Sequence, residues 1–168
     1  RTTYEQNLQA LVDQIKDSYA KVDDGVRAKA DQLFKNPRTV YPEVIAFDNY
    51  TLRMSVNDQR LRVGEMLAAW QKTISTLSTG AYSVTYLSEA RNNLSTARNF
   101  FNDLSEGVSS LTVSDALPQT TVDKYKADIS AARSAISASI SALSAAEQAY
   151  KTSQNAYTRA QDQLALKK

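Results

Sequence analysis

The sequence predicts an all-α protein, an antiparallel up-down four-helix bundle or coiled-coil hairpin with an overlong C-terminal helix. Three observations point there. Only four glycines and three prolines occur in 168 residues, and both residue types are costly inside helices and useful at their ends. Apolar residues recur at seven-residue spacing through the second half of the chain, the signature of helices that supercoil around partners. Cysteine and histidine are absent, which removes thiol and imidazole chemistry, disulfides and the usual zinc ligands.

The first helix is expected over about 3–34. Leu8, Leu11, Ile15, Tyr19, Val22, Val26, Ala30 and Leu33 form its apolar stripe, with Asp13, Lys16, Asp17, Lys21 and Asp24 between them. Pro37 and Pro42 cannot continue it, because each lacks an amide proton and restricts the residue before it. A loop with a short extended crossing is therefore read over about 35–49.

The second helix, about 50–77, carries Val56, Val63, Trp70 and Leu77 in one row, widened by Met66, Leu67 and Ile74. Gly80 separates it from the third, about 84–111. There Leu87, Leu94, Phe101 and Val108 alternate with Ala90, Ala97, Leu104 and Leu111, and Gly107 marks where the end is expected to fray. Pro118 opens the fourth helix, about 120–168, with Thr120 and Asp123 resembling a capping box. Its large row is Val122, Ile129, Ile136, Leu143, Tyr150, Tyr157 and Leu164; beside it runs a row of mostly small residues, Tyr125, Ala132, Ser139, Ala146, Ser153 and Ala160. Such a helix would be about 70 Å long, roughly twice the third, so its C-terminal half needs the start of the first helix or a segment outside this chain as a partner.

The chemistry available is narrow. Carboxylate pairs such as Asp13/Asp17 and Asp23/Asp24 can in principle hold a hard cation or share a proton. Alternation with Lys16, Lys21 and Arg27 favours a solvated polar face instead. A di-iron bundle is contradicted, since it needs histidines. Trp70 falls on an apolar row and reads as core. Tyr150 and Tyr157 are a possible partner contact, or an ordinary intramolecular seam. Arg53, Arg60, Arg62, Arg91 and Arg98 can be imagined as an anion-binding cleft, but no periodic alignment forces them together, and surface arginines are the favoured reading. Asn-x-Ser/Thr matches at Asn49 and Asn93 matter only in a eukaryotic secretory setting. No catalytic, cofactor-binding or metal-binding residue is assigned.

Lys+Arg 20 against Asp+Glu 18 gives a net charge of +2, spread along the chain, so no nucleic-acid partner is indicated. No apolar run approaches the roughly 20 residues needed to cross a bilayer. The start, Arg1-Thr2-Thr3-Tyr4, has no signal-peptide apolar segment, so for work near a membrane the targeting and anchoring parts are expected outside these residues.

The run Ser18-Tyr19-Ala20-Lys21-Val22-Asp23-Asp24-Gly25-Val26-Arg27, with Asp31-Gln32-Leu33-Phe34 and Asn36-Pro37-Arg38 after it, resembles the start of the helical region in some bacterial periplasmic adaptors. These are the HlyD-like membrane fusion proteins of efflux and secretion systems. Ala146-Glu147-Gln148-Ala149-Tyr150 and Ala160-Gln161-Asp162-Gln163-Leu164-Ala165-Leu166-Lys167-Lys168 are similar to the hairpin helix that leads towards the lipoyl-like domain in such proteins. The resemblance implies a single helical domain excised from a larger protein, a non-enzymatic spacer and docking element without cofactors. It implies a bacterial periplasmic or extracytoplasmic location, and partners that are other protein subunits of a transport assembly, with self-association as a further option and no direct membrane insertion by this segment. The Arg-x-x-x-Leu-x-x-x-x-x-x-Ser pattern of hairpin-tip docking is absent, so no docking residues are carried over. The alternatives are the extracytoplasmic four-helix-bundle ligand-sensing domain of a chemoreceptor or sensor kinase, and a generic coiled-coil scaffold module.

Overall fold

The computed structural model describes residues 2–45 and 47–167; Arg1 at the start, Ala46 in the predicted crossing and Lys168 at the end of the predicted fourth helix lie outside the described residues. The fold is all-α. Among the described residues there are four α-helices, α1 (Thr3–Asp24), α2 (Tyr50–Thr76), α3 (Val84–Ser109) and α4 (Gln119–Ala165), and one small antiparallel strand pair, β1 (Phe34–Lys35) with β2 (Glu43–Val44).

Local signals account for the ends of the helices. Thr2 caps α1 with a capping box: its hydroxyl accepts from the Glu5 amide, and the Glu5 carboxylate accepts from the Thr2 amide. Asn49 caps α2 by accepting from the Leu52 amide at 3.1 Å, which gives this Asn-x-Thr asparagine a structural task. The expected capping box at Thr120 is not formed. Pro118 is the N-cap residue and its carbonyl receives the Thr121 and Val122 amides, because a proline just outside a helix already holds a suitable φ.

Instead of running as an α-helix to residue 34, the first helix changes at Gly25 into a π turn, Gly25–Lys29, and then a 3-10 turn, Ala30–Leu33. A side-chain carbon at position 25 would sit 3.2 Å from the Phe101 ring and 3.4 Å from Ala132, so α3 and α4 press on the backbone there. The π turn re-phases the helix. Beyond it Val26, Ala30 and Leu33 stay buried, and Asp31 faces α2.

The core lies where α4 meets α1 and α3, and where α3 meets α2. Val56, Val63, Trp70, Leu77, Leu87, Leu94, Phe101, Leu104, Val122, Ile129, Ile136 and Leu143 are all buried, each large side chain contributing about 1.5–3 kcal/mol. Trp70 meets the Tyr19 ring edge-on at 5.5 Å. Two of the expected core positions are not core. Along the α4 row, exposure rises from 9% at Tyr150 to 42% at Tyr157 and 61% at Leu164. Tyr4, in the first turn of α1, stacks on Tyr157; among the described residues no helix covers the row beyond it, and every residue from Gln154 to Lys167 is exposed.

Helix α3 does not fray at Gly107 either. It runs to Ser109, and Gly107 is buried because the Phe47 ring lies on it; a Cβ there would fall 2.0 Å from the ring. Phe47 belongs to the crossing between α1 and α2. Its base is the β1–β2 pair, Phe34 opposite Val44, and Asn57 of α2 accepts from the Val44 amide at 2.7 Å.

Gly107→Ala tests this arrangement. Alanine gains about 1 kcal/mol of helix propensity, but it must expel a buried phenyl ring, which costs about 2–4 kcal/mol. Chemical denaturation is expected to show net destabilisation, and Phe47→Ala combined with Gly107→Ala to cost little more than Phe47→Ala alone.

Candidate functional site

Two places gather side chains with more than packing to offer. The first is the aromatic end, where the start of α1, the α2–α3 loop and α4 meet. Tyr4 stacks on Tyr157 at 5.1 Å and lies 5.7 Å from Tyr150, while Tyr82 meets Tyr150 edge-on at 5.5 Å. The Asn7 amide nitrogen donates to the Ala149 carbonyl at 3.2 Å. Between the helices runs an open groove of about 750 Å³, lined by Tyr4, Asn7, Ala149, Ser153, Ala156 and Tyr157 among others. Small residues on α4 give it depth, and tyrosines give it apolar walls with polar rims.

This end also holds a buried charge that is paired. Glu147 of α4 is 6% exposed and is paired with Arg91 of α3 and with Lys151 at 2.7 Å. Burial pushes the Tyr150 hydroxyl up to about 12, helped by a hydrogen bond with Tyr4 and by the neighbouring Tyr4 and Tyr82 phenols. Burial also raises Tyr82, against an opposing pull from Arg91.

The second place is the turn between β1 and β2. Asp31 and Arg60 form a buried ion pair, with Arg60 Nε and Nη2 each 2.7 Å from Asp31 Oδ1. Arg38, reaching back from the turn, places Nε 3.2 Å from Asp31 Oδ2. Thus one carboxylate holds two guanidinium groups, and the pair ties α1, α2 and the crossing together.

The arginines considered from sequence are not assembled into one cleft. Arg53 lies over the Tyr50 ring at 5.5 Å, Arg62 pairs with Asp58 on the surface, Arg91 serves Glu147, and Arg98 is exposed. Arg60 is not a surface arginine: it is 4% exposed. A signal for this was present, since Arg60 stands seven residues before Leu67 and fourteen before Ile74, inside the apolar stripe of α2. Of the carboxylates, Asp13 accepts from Gln9 at 2.8 Å, Asp23 pairs with Arg27 and Asp24 with Lys29. Among the described residues no group of three His, Cys, Asp or Glu side chains is placed to hold a metal ion.

Removing one partner of the buried pair, as in Asp31→Ala, is expected to cost about 3–5 kcal/mol by leaving Arg60 buried without its counter-charge, whereas Asp31→Leu with Arg60→Met is expected to recover most of that; urea midpoints at constant m check both. For Tyr150 the folded state favours the protonated phenol. Its contribution is therefore complete below the unfolded value near 10 and is lost as pH rises towards about 12. A Tyr150→Phe chain should lose less stability over that interval than the parent, by thermal melts at successive pH values.

No protein-family model matches the chain, and no curated protein or solved structure matches it either.

Proposed function

We propose that the chain is a non-enzymatic helical spacer and docking domain of a HlyD-like periplasmic adaptor in a transmembrane efflux or secretion system. In this reading it is an antiparallel up-down bundle whose last helix outruns the others. Contacts between the elements support that arrangement: Asn7 of α1 with Ala149 and Gln32 of the 3-10 turn with Asp128 for the first segment and α4, Arg91 with Glu147 and Arg133 with Asn102 for α3 and α4, Thr76 with Tyr86 and Gln59 with Asp103 for α2 and α3.

One observation carries the functional reading. Helix α4 has 47 residues, about 70 Å, and its seven-residue repeat continues past the point where its partners stop. A seam that keeps Tyr157 and Leu164 in register while leaving them exposed is suited to receiving another helix. Among the described residues no helix is long and apolar enough to cross a membrane, and Asp23, Asp31, Asp58, Asp128 and Glu147 are engaged with basic side chains.

The test uses the full-length protein in its own host. Tyr157→Glu with Leu164→Glu is expected to leave the helices folded at the loss of the Tyr4–Tyr157 stacking, about 0.5–1.5 kcal/mol, while lowering ethidium export or protein secretion to the level of a deletion strain. If deletion of the gene changes neither export nor secretion, the adaptor reading fails. If the double variant transports like the parent, the overhang has no docking role.

A further inference from the structure

We propose that the cleft between the Asn36–Tyr41 turn and α2 is a binding site for a small organic carboxylate with an apolar body. This goes beyond the spacer reading and does not rest on it.

The cleft encloses about 460 Å³ and is lined by Arg27, Arg38, Arg60, Pro37, Val40 and Leu67 among others, a volume within the range of small-molecule sites. Its cationic end is built, not incidental. Arg60 is 4% exposed and fixed by Asp31 through Nε and Nη2. Its Nη1 donates to no described residue and points at Gly64, where a Cβ would stand 3.0 Å away. Glycine inside a helix is destabilising relative to alanine; here it keeps the outer edge of a buried guanidinium open to the cleft.

The turn brings a second fork to the same place. Asn36 adopts a left-handed conformation, φ 50°, and its carbonyl receives the Thr39 amide and hydroxyl. The turn so formed sets Arg38 over Asp31, with Nε engaged and the side chain 62% exposed. A guanidinium has five N–H donors, so Arg38 and Arg60 between them keep outward-facing donors after satisfying Asp31. A carboxylate matches such forks by paired N–H···O bonds.

The charges around the site favour an anion of modest size. Asp31 neutralises only one of its two arginines, and Arg27 is matched by Asp23 at 2.5 Å. Glu65, exposed at the rim, forms no ion pair among the described residues and opposes a ligand of high negative charge. The remaining wall is apolar, supplied by Pro37, Val40, Leu67 and Ala68. One carboxylate on an aliphatic or aromatic body meets all of these conditions; phosphate or sulfate meets only the first.

Benzoate, with benzamide as the neutral match and sodium sulfate as the control for ionic strength, tests the proposal on the whole chain by calorimetry and thermal melting. Benzoate is expected to bind one to one and, at ten times its dissociation constant, to raise Tm by about 3–6 °C, with benzamide and sulfate giving no comparable shift. Arg38→Lys keeps a charge beside Asp31 but loses the fork, and Gly64→Ala covers Arg60 Nη1; each is expected to weaken benzoate about tenfold or more without lowering the ligand-free Tm by more than a few degrees. Glu65→Gln is expected to tighten it. No saturable benzoate binding up to about 10 mM, equal shifts from benzoate and benzamide, or unchanged affinity in both Arg38→Lys and Gly64→Ala would overturn the proposal. Export in the host is a separate readout, so failure here leaves the spacer reading standing.

Discussion

A 47-residue helix whose large apolar side chains repeat every seven positions has to be covered, and α4 sets that demand for the whole chain. Val122, Ile129, Ile136 and Leu143 lose the hydrophobic contribution of their side chains unless α1 and α3 lie along them. The small row beside them, Ala132, Ser139 and Ser153, lets those neighbours come close. A close approach falls at Gly25, where the backbone just after α1 meets Phe101 and Ala132. The π turn begins there, and its extra residue lets the helix change phase without leaving the core.

The chain beyond the π turn takes its course from it. Re-phased, the helix delivers Asp31 to α2 instead of to solvent, and a carboxylate buried in that position needs a counter-charge from the facing helix. Arg60 supplies it from within an otherwise apolar stripe. The same carboxylate receives Arg38 from the turn between the strands. The crossing from α1 to α2 is thus organised by one acid, one backbone hydrogen bond from Ile45 to Leu33 at 2.8 Å and the short β1–β2 pair. Phe47 closes the far side by filling the space that Gly107 leaves.

Periodicity made most of this legible. The bounds of α2, α3 and α4 follow from Gly80, Pro118 and the heptad rows to within about three residues, because long helices give many repeats and few competing signals. The misses have a common origin in pairwise contacts between residues far apart in the chain. Gly25 follows Leu11 and Ser18 at seven-residue steps, and Gly107 follows Phe100 likewise; both glycines are row positions where a ring or helix comes too close for a side chain, yet neither row names the intruder. Arg60 occupies a stripe position, but its acid lies 29 residues away with no periodic relation to it. The Tyr157 and Leu164 positions fail for the opposite reason: the repeat is intact, but among the described residues no helix covers it there, which a repeat within α4 cannot report.

The change in coverage along α4 is matched by a change in residue type at the aromatic end. Where coverage thins, the large row changes from Val, Ile and Leu to Tyr, and each tyrosine keeps its ring against a neighbour while its hydroxyl reaches a polar partner or water. Tyr150, held between Tyr4 and Tyr82, is still buried; among the described residues the one ring against Tyr157 is Tyr4. Leu164 has no described partner and is an aliphatic side chain held at 61% exposure in the register of a seam. Single exposed leucines are common on protein surfaces. One that continues a seven-residue row beyond a graded aromatic boundary is different, because the geometry needed to pack a further helix is already set by the buried half of the same row. The covered half of α4 thereby fixes the orientation of the uncovered half, and it is this fixed orientation on which the proposed docking role rests.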